Sequence, residues 1–185
     1  LMTKLLKNKI KYKRLIGLSR KSQVSSRASK FSVRLRSKQN LRVFYGGISN
    51  RNLTRLYTNS KKQTGDFSSN LVTHLERRLD IVLFRMNLVT NVLDARQLIS
   101  HGSVTVNNIK VYSPDYKLSP GDFIQRDNIT REHECKHMEY KTLPYLEVNY
   151  NTLCGIFTRV PEKKEIVYPS SLNLAEASDF LRLSL

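Results

Sequence analysis

The feature that most constrains this chain is the separation of its charge. Residues 1–73 hold 18 of the 32 Lys and Arg side chains, while Asp66 is their one acid out of 15 in the chain. The remaining residues carry 14 of each sign, so the whole formal charge of +17 belongs to the first segment. Like charges repel one another in a compact state and are tolerated where a polyanion cancels them. The asymmetry therefore predicts a chain that lies along a nucleic acid.

Composition limits the remaining classes of protein. With 185 residues, 39% of them hydrophobic, the chain has room for one or two small domains. Cys135 and Cys154 do not form a disulfide framework and indicate free thiols in a reducing compartment. The sequence contains no apolar run of about 18 residues, the length that a membrane helix needs. We expect no membrane partner, no cofactor and no homo-oligomer.

Hydrophobic periodicity predicts a basic beginning followed by short helices. Residues 1–37 have little core potential and are predicted to form an extended basic RNA-binding arm. Residues 38–73 are predicted to form an N-terminal helical domain and a linker, because apolar residues recur there at helical spacing around a break at Gly46-Gly47. The linker is predicted in the polar stretch from Asn59 to Asn70. The aromatic side chains of this domain follow the helical spacing, which favours packing in its core over stacking on bases.

Residues 74–127 are predicted to form a compact α+β module. One helix is predicted over Leu75–Met86, whose apolar residues share one face, with a capping box of Thr73 and Glu76 at its start. A second helix is predicted after Asn91, where Asp94 completes the cap. The features expected after it are a left-handed Gly102, a hairpin turning at Asn107-Asn108 and a strand at Phe123–Gln125.

The last part of the chain is less regular. Residues 128–165 are predicted to continue the module's sheet around a divergent insertion, with strand-like runs at Leu146–Val148 and Gly155–Val160. Residues 166–185 are predicted as a C-terminal segment that docks on the body, with a final helix within Leu172–Leu185.

The run Leu75–Ile124, and most specifically DARQLISHGSVTVNN at Asp94–Asn108, resembles the S-four RNA-binding module. Pseudouridine synthases, some synthetases and a ribosome-binding heat-shock protein share that module. The flanking runs SKQNLRVFYGGI and LPYLEVNYNTLCGIFTRVPEK resemble the small-subunit ribosomal protein family that carries it. The zinc knuckle of some members is not expected here, because no cysteine precedes Cys135.

This resemblance implies an α+β fold, with a small, mostly helical basic domain and two helices packed on a short, strongly bent antiparallel sheet. It implies a primary rRNA-binding protein without catalytic activity, which organises the 5′ domain of small-subunit rRNA near the mRNA entry, beside neighbouring ribosomal proteins. The divergence and the Asn- and Lys-rich composition favour a mitochondrial version, with plastid or bacterial cytoplasm as alternatives. The basic, Ser-rich and nearly acid-free start is also typical of a mitochondrial transit peptide.

The candidate RNA-binding residues are side chains that grip phosphates or donate hydrogen bonds. Arg offers a planar fork to two phosphate oxygens, and Lys acts as a point charge. On a single helix, Arg77, Arg78 and Arg85 would share the face opposite the core and form a basic ridge. For His101, a helix-end cap is nearly as well supported as an RNA contact. The predicted set is Arg34, Arg36, Lys38, Arg42, Arg51, Arg55, Arg77, Arg78, Arg85, Arg96, Gln97, His101 and Asn107.

Two other functions compete with a structural ribosomal protein. A ribosome-associated RNA chaperone or RNA-modification factor would use the same module, although no segment is long enough for a catalytic domain. A zinc metallopeptidase is the remote alternative, since His133-Glu134-Cys135-Lys136-His137 matches the H-E-x-x-H pattern. The charged surroundings of this motif leave no apolar face to bury such a helix beside a cleft, so coincidence is favoured.

Overall fold

A computed structural model of the chain describes residues 29–127, 143–166 and 174–183. The α-helices in these ranges are α1 (Lys30–Phe44), α2 (Asn50–Lys62), α3 (Phe67–Glu76), α4 (Leu79–Arg85), α5 (Val92–Ser100) and α6 (Leu174–Leu183). The strands are β1 (Val104–Val106), β2 (Ile109–Lys110), β3 (Asp122–Arg126), β4 (Leu146–Asn149) and β5 (Cys154–Phe157), and a 3-10 helix spans Lys163–Glu165. The predicted α+β fold class is confirmed.

The described residues group into two units that divide after Tyr57. The first unit holds α1, the beginning of α2 and the C-terminal helix α6. The second unit holds the rest of α2, helices α3 to α5, the sheet and the 3-10 helix. This division precedes the predicted boundary after residue 73, because α3 packs against α4 and the 3-10 helix.

Helix α1 begins earlier than predicted. It starts at Lys30 behind the N-cap Ser29, so the prediction of an extended arm is wrong for residues 30–37. The reason lies far along the chain, because α6 packs along α1. The buried Ser37 hydroxyl donates a 2.6 Å hydrogen bond to the carboxylate of Glu176, 139 residues later. The spacing of apolar residues near α1 cannot predict packing against a helix so distant in sequence. Residues 1–28 lie outside the described residues.

The two helices predicted around Gly46-Gly47 are confirmed. Both glycines adopt left-handed backbone angles, with φ of +74° and +75°, which reverse the chain between α1 and α2. The apolar residues buried on these helices and in the turn are Leu41, Tyr45, Ile48, Leu53, Leu56 and Tyr57. The ring of Phe44 packs edge-on against Tyr45, 5.0 Å between centroids. Packing of these aromatic residues in a core therefore agrees with their spacing.

The linker predicted between residues 59 and 70 is largely helical, so this prediction is wrong. Helix α2 continues to Lys62, and α3 begins at Phe67. The cap is Asp66, whose carboxylate accepts the N–H of Ser69 at 3.0 Å. Hydrogen bonds from the Ser69 side chain and backbone lower the pKa of Asp66, because they stabilise its charged form. A capped first turn outweighs the polar composition that favoured a linker.

The single helix predicted over Leu75–Met86 is also wrong, and so is the capping box at its start. Helix α3 enters this segment and ends, and α4 begins after a break. At the break, the Arg77 carbonyl accepts the N–H of Leu118 at 2.9 Å. Two residues later, Leu79 N–H donates to the carbonyl of Tyr116 at 2.9 Å. The backbone leaves the helix because a later loop supplies partners for its polar groups.

The second predicted helix and the hairpin are confirmed. Asn91 caps α5, and its side-chain oxygen accepts the N–H of Asp94 at 2.9 Å. The helix ends before Gly102, whose φ is +73°. Asn107 and Asn108 then have φ of +51° and +66°, as a tight two-residue hairpin turn requires.

The five strands form one antiparallel sheet in the order β2-β1-β3-β5-β4. Residues of α4, α5 and one face of this sheet share a buried core that includes Leu83, Ile99 and Ile124. In β5, a Cβ on Gly155 would lie 3.0 Å from the sulfur of Met86 at the end of α4. The absence of that atom lets the helix approach the strand. The predicted packing of two helices on a sheet is confirmed.

The later predicted elements appear with shifted ends. The runs predicted at Leu146–Val148 and Gly155–Val160 correspond to β4 and β5, and α6 lies within the predicted Leu172–Leu185. The predicted insertion falls mainly on residues 128–142, outside the described residues. In the parts of the chain that the structure describes, no helix combines the length and hydropathy needed to cross a bilayer.

Candidate nucleic-acid interface

The basic residues of α1 differ in what they contact. Arg36 is exposed. Arg34 lies 3.8 Å from the carboxylate of Asp179 on α6. The Lys38 ammonium lies 4.7 Å from the centroid of the Phe180 ring, and partial burial lowers the pKa of Lys38. Of these three cations, Arg36 is the exposed one and the one most directly available to a phosphate.

Helix α2 carries a pair of solvent-exposed guanidinium groups. Arg51 and Arg55 are one turn apart and exposed, and neither has an ion-pair partner among the described residues. Arg42 differs, because its Nε donates a 2.7 Å hydrogen bond to the carbonyl of Ile48 and closes the turn before α2. The side chains of Arg51 and Arg55 thus form a small basic stripe on the surface of the first unit.

Arg78 is built into the interior of the second unit. Its side chain is 3% exposed, and Nη2 lies 2.7 Å from the carboxylates of both Asp80 and Asp115. Nε donates to the other Asp80 oxygen at 3.1 Å. Burial raises the pKa of Asp80, and the hydrogen bond from Arg78 opposes that rise. A guanidinium held in this way cannot reach a phosphate while the fold is intact.

The other two arginines of the predicted ridge also have partners inside the unit. Arg77 Nε donates to the carbonyl of Leu118 at 2.7 Å. Arg85 makes a two-pronged pair with the buried Glu76, at 3.0 and 2.9 Å. The ridge is therefore wrong as a geometric prediction, because the helix that would align the three arginines is broken. RNA contact by Arg77 or Arg85 stays a prediction.

Helix α5 presents the polar side chains of the second unit. Gln97 and His101 are exposed one turn apart. His101 is the C-cap residue and donates its backbone N–H to the Gln97 carbonyl at 3.0 Å. Its side chain is exposed. Arg96 is half-buried, and its Nε lies 3.9 Å from the buried carboxylate of Asp80. The exposed end of α5 thus offers hydrogen-bonding groups rather than a concentrated charge.

Asn107 holds the hairpin to the neighbouring strand. Its amide nitrogen donates to the carboxylate of Asp122 at 3.0 Å, and its oxygen accepts the N–H of Phe123 at 2.9 Å. These bonds give the side chain a structural role, and RNA contact by Asn107 stays a prediction.

Two protein-family models match adjacent parts of the chain, which together span residues 2–124. Residues 2–76 match the ribosomal protein S4/S9 N-terminal domain, and residues 77–124 match the S4 domain. Small ribosomal subunit protein uS4 of Azorhizobium caulinodans is 36% identical over 158 residues, covering 83% of this chain and 75% of that protein. The uS4 protein of Gluconobacter oxydans is 34% identical over 191 residues, covering 91% and 93% respectively. The chain belongs to the uS4 family.

The boundary between the two uS4 matches has a structural counterpart. The S4 domain match begins at residue 77, where α3 has ended and the chain pairs with the loop before β3. The uS4 assignment confirms the family resemblance seen in the sequence. The relatives named above are bacterial. The H-E-x-x-H motif at 133–137 lies outside the described residues, and no cluster of three metal-binding side chains occurs within them.

Sequence reasoning missed His74, which is buried in α3 of this uS4 chain. Neither ring nitrogen has a hydrogen-bond partner among the described residues. Burial lowers the pKa of His74, and the nearby charges of Lys117 and Arg77 lower it further. The ring is therefore held neutral. The sequence carried no signal for this burial, because the apolar pattern used for prediction begins at Leu75 and α3 was not predicted.

Proposed function

We propose that this uS4 family member is an rRNA-binding structural constituent of a small ribosomal subunit and that it catalyses no reaction. The observation that carries the proposal is the similarity to the uS4 protein of G. oxydans, which extends over 91% of this chain. The charge distribution supports it independently, because residues 1–73 carry the formal charge of +17. A polyanionic partner would cancel that charge.

Exposure ranks the predicted RNA-binding residues. The exposed cations are Arg36, Arg51 and Arg55. The exposed hydrogen-bonding side chains are those of Gln97 and His101. We place the first contacts there, because a phosphate can approach them without breaking a bond of the fold. The predicted residues that already have partners in the fold, such as Arg42 and Asn107, rank below them.

The place of binding within the particle is part of the same proposal. The 5′ domain of the small-subunit rRNA is the RNA target, and the mRNA entry and neighbouring small-subunit proteins are the surroundings. The support is the family resemblance of the Asp94–Asn108 run and its flanks. Crosslinking in the native particle tests this placement, by showing which rRNA helix the peptide Arg77–Asn107 touches.

We propose a mitochondrial small subunit as the compartment. The Asn- and Lys-rich composition and the divergence from the bacterial relatives, at 34–36% identity, support it. Cell fractionation tests it, since the protein would sediment with mitochondrial small subunits. Recovery with plastid or bacterial cytoplasmic small subunits would contradict it.

Direct binding tests the RNA contacts. The full chain is titrated with a transcript of the 5′ domain of its own small-subunit rRNA at several salt concentrations. If about ten phosphates are contacted, the logarithm of the affinity falls with the logarithm of salt with a slope of roughly −7 to −9. Loss of two contacts in Arg51→Gln with Arg55→Gln reduces the magnitude of that slope by about 1.4–1.8.

The control removes the same charge elsewhere. Lys163→Gln with Lys164→Gln changes two exposed cations of the 3-10 helix and is expected to leave affinity and slope close to the original. Equal affinity of the α2 variant and the unmodified chain would remove Arg51 and Arg55 from the interface. Sedimentation distinguishes the proposed function from the alternative. A structural constituent stays with the small subunit through a high-salt wash, whereas an RNA chaperone or modification factor is removed.

A further inference from the structure

An exposed aromatic ring lies against the backbone just after the C-terminus of α5, and the predicted interface did not include it. Tyr112 is 62% exposed and follows the edge strand β2. The neighbouring Ile109 is 70% exposed. A tyrosine ring combines a broad apolar face with few rotatable bonds, so an open one is well suited to stack on a planar group.

Gly102 fixes where this ring lies. A Cβ at residue 102 would lie 2.7 Å from Cε1 and 3.3 Å from Cζ of Tyr112. The ring therefore rests against the backbone at the end of α5, in space that any other residue type would fill. The left-handed φ of +73° at Gly102 independently favours glycine at this position. Tyr112 thus lies against the residue that follows His101, the exposed C-cap residue of α5.

A cation on the edge strand lies two residues before Tyr112 in the sequence. Lys110 pairs with Thr105, and Val111 N–H donates to the Val104 carbonyl at 3.2 Å. Thr105 lies between the buried Val104 and Val106, so Lys110, which pairs with Thr105, lies on the face of the sheet opposite the core. Tyr112 follows two residues later, beyond the end of β2. Lys110 is exposed. An aromatic ring with a cation two residues away resembles the combination that holds single-stranded RNA.

Asp127 lies on the other side of β1 from Lys110. Asp127 N–H donates to the carbonyl of Ser103 at 2.9 Å, on the side of β1 where β3 runs. Strand β2 runs along the other side of β1. A phosphate would therefore be attracted toward Lys110 and repelled from Asp127, which gives the strand of RNA a preferred side.

We infer that Tyr112 is a stacking site for one unpaired RNA base, with Lys110 contacting an adjacent phosphate and His101 the edge of the base. This inference rests on the proposed function and deepens it. It assigns to the S4 domain a contact that depends on an aromatic face and not on charge. RNA fits better than a protein partner, because the polar side chains of Lys110, His101 and Gln97 outnumber the exposed apolar side chain of Ile109 in this region.

The test compares variants of the full chain in binding to the 5′-domain transcript of its own small-subunit rRNA. Tyr112→Ser removes the ring and is expected to weaken binding by about 5- to 150-fold, the range for one stacked base. Tyr112→Phe keeps the ring and is expected to stay within about twofold, since stacking does not need the hydroxyl. Ile109→Ser is the matched control, because it removes a neighbouring exposed apolar side chain without removing an aromatic face.

Salt dependence separates stacking from charge. Tyr112→Ser is expected to keep the slope of the unmodified chain, and Lys110→Gln to reduce its magnitude by about 0.7–0.9, the value for one phosphate. A reduced slope for Tyr112→Ser would overturn the inference, and so would affinity equal to that of the unmodified chain. A comparable loss in Ile109→Ser would overturn it too, by pointing to a general apolar contact.

A second measurement does not depend on the variants folding. Ultraviolet crosslinking of the unmodified chain to the transcript is expected to join RNA to the peptide that contains Tyr112. Crosslinks on other peptides with none on this one would overturn the inference while leaving the proposed function intact. If the unmodified chain does not bind the transcript at all, the proposed function itself fails.

Discussion

Replacement of Arg78 by Met is expected to lower the free energy of unfolding of the second unit by roughly 3–5 kcal/mol, the range for breaking a buried ion pair from one side. Asp80 is the cause, because its side chain is 0% exposed and loses hydrogen bonds of 3.1 and 2.7 Å. Asp115 contributes less, since its side chain is 32% exposed and water can solvate it. Arg96, 3.9 Å from Asp80, offsets part of the loss, so we expect the lower end of the range.

The loss should depend on pH. Burial already raises the pKa of Asp80, and removal of Arg78 takes away the hydrogen bond that opposes this rise. The folded variant then holds a proton on Asp80 more tightly than the unfolded chain does. Acidification therefore recovers stability in the variant, because protonation removes the unpaired buried charge. The difference between Arg78→Met and the unmodified chain should shrink as pH falls.

Urea denaturation followed by circular dichroism measures both effects. The control is Arg36→Met, which removes an exposed arginine and should change the free energy of unfolding by less than about 0.5 kcal/mol. The double variant Arg78→Met with Asp80→Asn should recover part of the loss, since no buried charge is left alone. A loss below about 1 kcal/mol for Arg78→Met, with an unchanged urea dependence, would refute this account of the buried pair.

Two further predictions concern the second unit. The free energy of unfolding of the unmodified chain should decrease from pH 8 to pH 5.5, because His74 has a lowered pKa in the folded state and is therefore protonated preferentially in the unfolded state below about pH 6.5. His74→Leu should make this decrease smaller. Urea denaturation at the two pH values measures this, and an equal fall in both proteins would contradict it. Asn91→Ala should cost about 1 kcal/mol by removing the cap of α5. The same assay measures that loss, and an unchanged midpoint would show that the cap contributes little.

Sequence patterns predicted the features that depend on neighbouring residues. The Asn91 cap, the left-handed Gly102 and the turn at Asn107-Asn108 each need a few adjacent side chains and specific backbone angles, and all three occur. The early start of α1 was missed because its packing surface comes from α6. The break between α3 and α4 was missed because its backbone partners, such as Leu118, are distant in sequence.

The arginines show why the summed charge of a segment can be predicted from sequence, whereas the partner of a single arginine cannot. Net charge is a sum over the chain, so the excess in residues 1–73 can be counted without knowing any partner. The role of a single Arg depends on the nearest carboxylate, and Asp115 is 37 positions from Arg78 in the sequence. Helical spacing alone made Arg78 and Arg85 look equivalent to Arg51, although the first two pair with acids of their own unit. Charge reversal at Arg78 and Arg85 is therefore expected to affect folding, whereas reversal at Arg51 and Arg55 tests the proposed contacts with RNA.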